Sequence, residues 1–130
     1  MTDQISKDLN EAYKATIIEV LLNEKTVNEF ELLRLWNSAF FIITAANPYS
    51  KQLNEKENCE RDSRLEMMLK EANYEYLRAV GRNLENTWRE PGWAVNTSDE
   101  TAMIGVAKVF EQNAIFRVSA IGREIVNCLK

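Results

Sequence analysis

The order of apolar segments along this 130-residue chain constrains its fold more than any other feature of the sequence. From residue 39 onward, segments typical of strands and helices follow one another as strand, helix, two strands, helix and strand, which is the split βαβ arrangement. We therefore expect an α+β fold: a small sandwich whose mostly antiparallel sheet carries its helices on one face, with a split βαβ-like core over residues 39–118. A chain of this length has room for one core, so residues 1–130 are predicted to form a single domain.

Local patterns locate the strands of this core. Residues 39–44 are apolar and rich in β-branched side chains, which is typical of a buried strand. Residues 74–80 and 88–95 alternate as two strands joined by a turn, and residues 114–118 alternate as a fourth. Pro91 cannot donate a ladder hydrogen bond, so it predicts an edge position, a bulge or a break in its strand.

Capping residues locate the helices. Thr26 with Glu29 has the spacing of a capping box, and Asn54 with Glu57 repeats it before a second amphipathic segment. Ser98 opens a third helix, which is apolar on most of its surface and is therefore expected to be buried against the sheet.

The two ends of the chain have weaker patterns. Ile5, Leu9 and Tyr13 fall at helical spacing, but the following residues are rich in β-branched side chains. A helix that passes into a strand near residue 16 is therefore expected. Residues 121–129 are predicted to close the chain as a helix.

The charge of the chain favours some partners over others. The formal net charge is −4, and acids outnumber bases over residues 1–60. This balance disfavours nucleic acid, which is bound through clustered Lys and Arg, and it suits a basic protein partner. The candidate partner-binding residues are Glu24, Glu29, Glu31, Glu55, Glu57 and Glu60.

Other features of the sequence predict a cytoplasmic protein that does not enter a membrane. No apolar run reaches the roughly 18 residues that a membrane span needs, and the first residues lack the pattern of a secretory signal. Cys59 and Cys128 match no metal-binding or redox spacing, so both are expected to be free thiols in a reducing compartment.

The residues offer little catalytic chemistry. The chain has no histidine, which excludes Ser-His and Cys-His pairs and the commonest metal ligand, and its four glycines are too scattered for a phosphate loop. We therefore expect no cofactor, no metal, no catalytic residue and a non-enzymatic role. Glu90, between Trp88 and Pro91, remains the one candidate acid or base, since apolar neighbours would raise its pKa. A surface acid or an ion pair is the favoured alternative.

The segment FFIITAANPYS, residues 40–50, runs from a buried strand directly into Thr44, Asn47 and Ser50. These side chains are typical of a turn in which each one bonds nearby backbone, and Pro48 favours an extended backbone at Asn47. They would equally suit a ligand site at the end of the sheet. The residues alone favour the turn.

Other polar residues join this turn if the fold brings them to the same sheet end. Asn58 and Arg61 lie on one side of a helix, where Arg61 would bind an anion or pair with neighbouring acids. Gln112 and Asn113 follow the last helix, where amides often satisfy open backbone groups. The full candidate cluster is Thr44, Asn47, Ser50, Asn58, Arg61, Trp88, Glu90, Gln112 and Asn113.

Several motifs occur together in a known pattern. They are ITAANPYS at residues 43–50, ENCER at 57–61, WREP at 88–91 and FEQNAIF at 110–116. In order and spacing they resemble an uncharacterised bacterial family called domain of unknown function 3293, over roughly residues 12–118. The resemblance implies a shared small α+β fold and brings no catalytic residue. The chain departs from the family pattern at Glu111, where the family commonly has Gly, and at Gly92, where it commonly has Ser.

These features support two main classes of function. The first is a non-enzymatic cytosolic binding protein, most concretely an acidic immunity or inhibitor protein that neutralises a basic toxin, such as a nuclease, by direct contact. The alternative is a small-ligand-binding domain whose polar pocket is the candidate cluster. An enzyme that uses Glu90 and Arg61 is the third and least favoured hypothesis.

Overall fold

The computed structural model describes residues 4–129, which form one seven-stranded sheet and four α-helices. The helices are α1 (Lys7–Ala15), α2 (Glu29–Trp36), α3 (Glu55–Glu71) and α4 (Glu100–Val109). The strands are β1 (Ile17–Leu22), β2 (Lys25–Asn28), β3 (Phe40–Ile43), β4 (Tyr76–Arg82), β5 (Arg89–Val95), β6 (Ala114–Ser119) and β7 (Gly122–Asn127). A short 3-10 helix, Pro48–Ser50, follows β3. Within the described residues, no helix is long and apolar enough to cross a membrane.

Neighbouring strands of the sheet are antiparallel, in the order β2-β1-β4-β5-β3-β6-β7. The central four strands have the split βαβ order, because α3 carries the chain from β3 past β5 to β4, and α4 carries it from β5 past β3 to β6. The β1–β2 hairpin extends the sheet beyond β4, and β7 extends it beyond β6. The predicted α+β class and antiparallel sheet are confirmed.

Strand β3 lies between two hydrophobic cores. Phe41 and Ile43 point to one face of the sheet and pack with the apolar sides of α3 and α4. Phe40 and Ile42 point to the other face, where they pack with Leu32 of α2. Because both faces are covered, β3 is buried at every position, as its unbroken apolar sequence indicates.

Helix α2 differs from the sequence-based expectation in its face and its start. It covers the face of the sheet opposite to α3 and α4. The expectation that the helices lie on one face therefore holds only for the two helices of the split βαβ core. It is capped by Asn28 in a capping box with Glu31. The box predicted at Thr26 and Glu29 is wrong, because Thr26 pairs with Leu21 in the β1–β2 hairpin.

The ends of the chain give one confirmed prediction and one correction. Helix α1 ends and β1 begins on either side of Thr16, as expected. The closing segment is strand β7 and not a helix, because it pairs with β6 along its whole length and takes part in the sheet's main-chain hydrogen bonding. Helix α4 is capped by Asp99 and not by Ser98, since the Asp99 side chain accepts the N–H of Ala102.

Pro91 and Gly92 lie where β3 ends beside β5. β3 pairs with β5 only as far as Trp93, which is opposite Ile43, so Pro91 occupies a local edge where its missing N–H leaves no ladder bond unmade. A Cβ on Gly92 would lie 2.5 Å from the carbonyl oxygen of Ile43. This close backbone approach requires glycine at this position.

Gly92→Ala should therefore destabilise the fold. The new methyl group meets main chain that cannot move without disturbing the β3–β5 pairing, so we expect a loss of about 2 kcal/mol or more in the free energy of unfolding. Gly105→Ala is the matched control, because Gly105 lies in α4 with no atom near its Cβ position and should gain about 0.5–1 kcal/mol from higher helix propensity. Urea denaturation measures both values. Equal stability of the Gly92 variant and the wild type would contradict the close approach.

Candidate functional site

The candidate cluster lies at the end of the sheet where β3 stops and β5 and β6 begin. Because β5 and β6 both run antiparallel to β3, their first residues lie beside the loop that leaves β3. The loop after α4 and the first half of α3 reach the same end, as their hydrogen bonds to this loop show. The fold thus brings together polar residues from four separate segments of the chain.

Asn47 is the centre of the hydrogen-bond network at this sheet end. Its backbone N–H donates to Oδ1 of Asn58 (2.9 Å), and its own Oδ1 accepts from Nδ2 of Asn58 (2.8 Å) and from the N–H of Leu53 (3.0 Å). Its Nδ2 donates to Oε2 of Glu90 (2.9 Å). These bonds hold Asn47 in the left-handed region at φ 52°, and so the extended backbone expected before Pro48 is wrong.

Left-handed backbone is concentrated around this centre. Besides Asn47, the residues Tyr49, Ser50 and Glu111 have φ values of 50°, 63° and 56°, which side chains other than Asn and Asp rarely adopt. The N–H of Tyr49 donates to the carbonyl oxygen of Glu111 (2.6 Å), so the two unfavourable segments are held against each other. Such conformations persist only where surrounding contacts impose them, and they are often found at functional sites.

Arg61 and Gln112 both bind main-chain carbonyls of these loops. Nε of Arg61 donates to Ala45 O (2.6 Å), and its Nη2 donates to Phe110 O (2.5 Å). Nε2 of Gln112 donates to Ala46 O and Phe110 O, both at 3.0 Å. Arg61 therefore has a structural role, and it also pairs with an acid, Glu111, whose Oε1 lies 3.6 Å from its Nη1.

Thr44 has a similar structural role at the end of β3. Its Oγ1 donates to the carbonyl oxygen of Pro91 (2.7 Å) and accepts the N–H of Ala46 (3.1 Å). The hydroxyl group thus continues the β3–β5 contact beyond the last ladder pair. For Thr44, the turn explanation of FFIITAANPYS is sufficient.

Glu90 and Tyr13 form the titratable part of the site. Burial raises the pKa of Glu90 to about 7, and the hydrogen bond from Asn47 acts in the opposite direction. Burial also raises the pKa of Tyr13, whose phenol group faces Ser50, Asn113 and Glu90. Nδ2 of Asn113 donates to Oγ of Ser50 (2.8 Å), which completes this side of the cluster.

Sequence reasoning missed Tyr13 as a site residue. It lies on the apolar stripe of α1, so the sequence pattern indicated a core residue only. In the structure its ring packs edge-on against Phe116, with 6.0 Å between the ring centroids. The one available signal was a phenol group at the end of that stripe.

Trp88 lies beside Glu90 on the same face of the hairpin. The two residues are separated by one position, so their side chains point the same way. Gly81 is directly opposite Glu90, and a Cβ on Gly81 would lie 4.0 Å from Cη2 of Trp88. The tip of the indole ring therefore reaches the glycine opposite Glu90, where side-chain atoms of Thr16 and Ile18 also lie, while 42% of Trp88 stays exposed.

The six glutamates proposed for partner binding do not form one surface. Glu29 is buried and pairs with Arg123 of β7, because the first turn of α2 packs against the sheet. It is therefore not available to a partner. Glu31 is exposed but accepts the N–H of Asn28 in the α2 cap. Glu24 lies exposed in the β1–β2 turn. The other three are exposed in the first two turns of α3: Glu55, Glu57 and Glu60.

Metal binding has no support in this geometry. Within residues 4–129, no three carboxylate or thiol side chains lie close enough together to hold a metal ion. Cys59 is exposed and Cys128 is buried, and both are free cysteines. Burial raises the pKa of Cys128 to about 11, which keeps it as an uncharged thiol at neutral pH.

The fold and the cluster define a small α+β domain whose loops are joined by a polar network at one end of the sheet. A family model described as protein of unknown function (DUF3293) matches residues 43–115, more than half of the chain. The chain belongs to this family, as its motifs predicted. The matched range contains the nine cluster residues found from the sequence and leaves out Tyr13. No curated protein and no solved structure matches the chain.

Glu90→Gln should change how stability depends on pH. The folded-state pKa of Glu90 is about 7, against 4.5 for an ordinary Glu, so the folded protein binds the proton more tightly than the unfolded chain. Wild-type stability should therefore fall as the pH rises from about 4.5 to 7, by up to about 3 kcal/mol. Glutamine does not titrate and keeps an acceptor for Asn47.

Urea denaturation at pH 4.5, 6 and 8 measures this difference. The Glu90→Gln variant should match the wild type at the lowest pH and exceed it at pH 8. Glu85→Gln is the control, because Glu85 is exposed in the β4–β5 turn. The same pH dependence in wild type and in the Glu90 variant would contradict the elevated pKa.

Proposed function

We propose that this chain is a non-enzymatic, cytoplasmic binding domain that holds a small polar ligand at the sheet-end cluster, with Glu90 as the central contact. The observation that carries the proposal is the state of its carboxyl group. Oε2 is fixed by Asn47, whereas Oε1 has no hydrogen-bond donor among residues 4–129 and is not sealed from solvent. A positioned but unpartnered acceptor is what a ligand donor requires.

The surroundings of Glu90 support a ligand site. Ser50 and Trp88 are exposed, whereas Tyr13 and Asn113 are more buried and lie behind them. Such a mixture of an aromatic surface and a few convergent polar groups is typical of small-molecule sites. The left-handed backbone of Ser50 adds a second indication, because it is maintained at the one place where these groups meet.

A ligand screen by NMR tests this proposal. Small polar metabolites are added to the 15N-labelled protein, and a true ligand should shift the resonances of Asn47, Ser50 and Asn113 before others. Glu90→Gln and Ser50→Ala should each weaken binding about tenfold, the usual effect of losing one hydrogen bond to a charged or well-placed group. Glu85→Gln should leave binding unchanged. Ligands that shift only other regions, or that bind both variants as well as wild type, would contradict the site.

A second candidate function is the acidic immunity or inhibitor protein that binds a basic toxin. The observation that favours it is the exposure of Glu57 and Glu60 on the first two turns of α3. They line a surface groove of about 600 Å³ together with Arg61 and Arg64, so the groove itself carries both signs of charge. Exposed acids suit a basic partner, because complementary charge speeds the encounter and disfavours other proteins. Glu55 is exposed on the same two turns of the helix.

Co-expression with the product of the neighbouring gene tests this second candidate. If that product is a basic toxin, the chain should co-purify with it and protect the host. Replacing Glu55, Glu57 and Glu60 with Lys should abolish both effects, because like charges then face the toxin. A variant with the same net charge is the control, with exposed Glu11, Glu71 and Glu85 replaced by Lys. Recovery of the chain alone, without protection, would count against a toxin partner.

A further inference from the structure

The proposed ligand site beside Glu90 has the chemistry of a cation site. We infer that its ligand carries an ammonium or guanidinium group, which binds between the carboxylate of Glu90 and the indole ring of Trp88. This depends on the proposed ligand site and adds the charge and the chemical class of the ligand.

Glu90 lacks a positively charged partner, because the two arginines nearest to it along the hairpin project from the opposite face of the sheet. Arg89 precedes Glu90 on β5, and Arg82 is opposite Arg89 at the end of β4. Both guanidinium groups are directed to Glu19 of β1, with nitrogen–oxygen distances of 3.7 and 3.0 Å. The ionised Glu90 therefore has no counter-ion among residues 4–129, and an unpaired, partly buried carboxylate gains free energy when a cation binds it.

Trp88 supplies the second half of the site. Cη2 of its ring lies 4.0 Å from the Cβ position of Gly81, the residue opposite Glu90, beside methyl groups of Thr16 and Ile18. No Arg or Lys among the described residues stacks on this ring, whereas Phe110, Trp93 and Phe116 each have an arginine over them. Tryptophan has the most favourable face for a cation, and a neighbouring carboxylate adds to that attraction.

The opposite face of the same hairpin shows such an arrangement with its cation in place. There the guanidinium of Arg78 lies 3.7 Å from the ring centroid of Trp93 and makes two bonds with the carboxylate of Asp62, at 2.9 and 2.8 Å. An indole and a carboxylate thus already bind one guanidinium group in this protein. The pair formed by Trp88 and Glu90 repeats the combination without the cation.

The remaining groups of the site match the hydrogen-bonding needs of a cation. An ammonium group has three donors and a guanidinium has five, and neither accepts a bond. Besides Oε1 of Glu90, the hydroxyl oxygen of Ser50 is an acceptor on this side of the cluster, and one of its two lone pairs already accepts from Nδ2 of Asn113. An anionic ligand would instead face the carboxylate with no guanidinium free to bind it, since Arg61 is occupied by main-chain carbonyls.

Cation binding at this site should depend on pH. Only the ionised form of Glu90 attracts the ligand, and its pKa is about 7. The groups that face Glu90 are Tyr13 from α1 and the uncharged amide of Asn47, and Cys128 lies behind Tyr13. The pKa values of Tyr13 and Cys128 are raised above their ordinary values, out of the neutral range. Affinity should therefore rise about tenfold between pH 6 and pH 8, with release of one proton.

The cation has two possible sources. A free amine or guanidine would enter as a small molecule, whereas a basic protein would present the same group on a Lys or Arg side chain. Butylamine and ethylguanidine represent the first source. A blocked Gly-Arg-Gly peptide and its Lys counterpart represent the second.

The experiment follows the side-chain carboxyl carbon of Glu90 by 13C NMR during titrations with these four probes at constant ionic strength. The neutral control is N-ethylurea, which has the shape of ethylguanidine, and butyrate is the anionic control. The cations should lower the pKa of Glu90 by about 0.5 or more at saturation, because they stabilise its ionised form. Glu90→Gln should abolish binding; this variant has no carboxyl carbon to follow, so its titration is monitored by the indole resonance of Trp88. Trp88→Ala should weaken binding about fivefold. Leu84→Ala is the control for the second variant, since Leu84 is 77% exposed in the same hairpin.

The outcomes separate this inference from the proposed function. Binding of the free amines without the peptides supports a small-molecule cation, and stronger binding of the peptides supports a protein side chain. If N-ethylurea or butyrate binds at Glu90 as well as the cations do, the ligand site stands and its cationic specificity is wrong. If none of the probes changes the Glu90 titration, the cation inference is overturned, whereas the metabolite screen above decides the ligand site itself.

Discussion

The hydrogen bonds of Asn47 are the constraint on which the geometry of the sheet end depends. One amide side chain joins the loop after β3 to α3 through Asn58 and to β5 through Glu90. The neighbouring residues Tyr49 and Ser50 adopt left-handed conformations that cost about 1–3 kcal/mol each and need such anchoring. The distance between Ser50 and Glu90, and with it the shape of the site, follows from this network.

Around Asn47, the polar side chains divide by what they bind. Thr44, Arg61 and Gln112 bind main-chain carbonyls that no strand or helix satisfies, and so they hold the loops in place. Among the described residues, Glu90 is bound by Asn47 alone, and Tyr13 interacts with Ser50 and Asn113; burial raises the pKa of both groups. Part of the cluster therefore maintains the fold, and Glu90 has no internal cation within residues 4–129 to balance its charge.

The predictions that failed did so where long-range contacts decided the outcome. Thr26 and Glu29 have the spacing of a capping box, but β1 pairs with the segment and moves the helix start to Asn28. Residues 121–129 have apolar residues at helical spacing, yet they form a strand because they pair with the edge of β6. Glu29 belonged to an acidic half of the chain, and its burial against Arg123 depends on a contact with a residue near the other end of the sequence.

The sequence by itself determined the succession of strands and helices between residues 39 and 118, the α+β class and the family. These follow from local periodicity and from motifs, which need no knowledge of distant contacts. It also identified the polar residues of the site, because Thr44, Asn47 and Ser50 interrupt an otherwise apolar segment. Only the tertiary structure decided which of them bind backbone, that Tyr13 joins Ser50 and Asn113, and that Arg82 and Arg89 pair with Glu19. Those outcomes depend on which side chains meet across the sheet, and that is fixed by strand order and register.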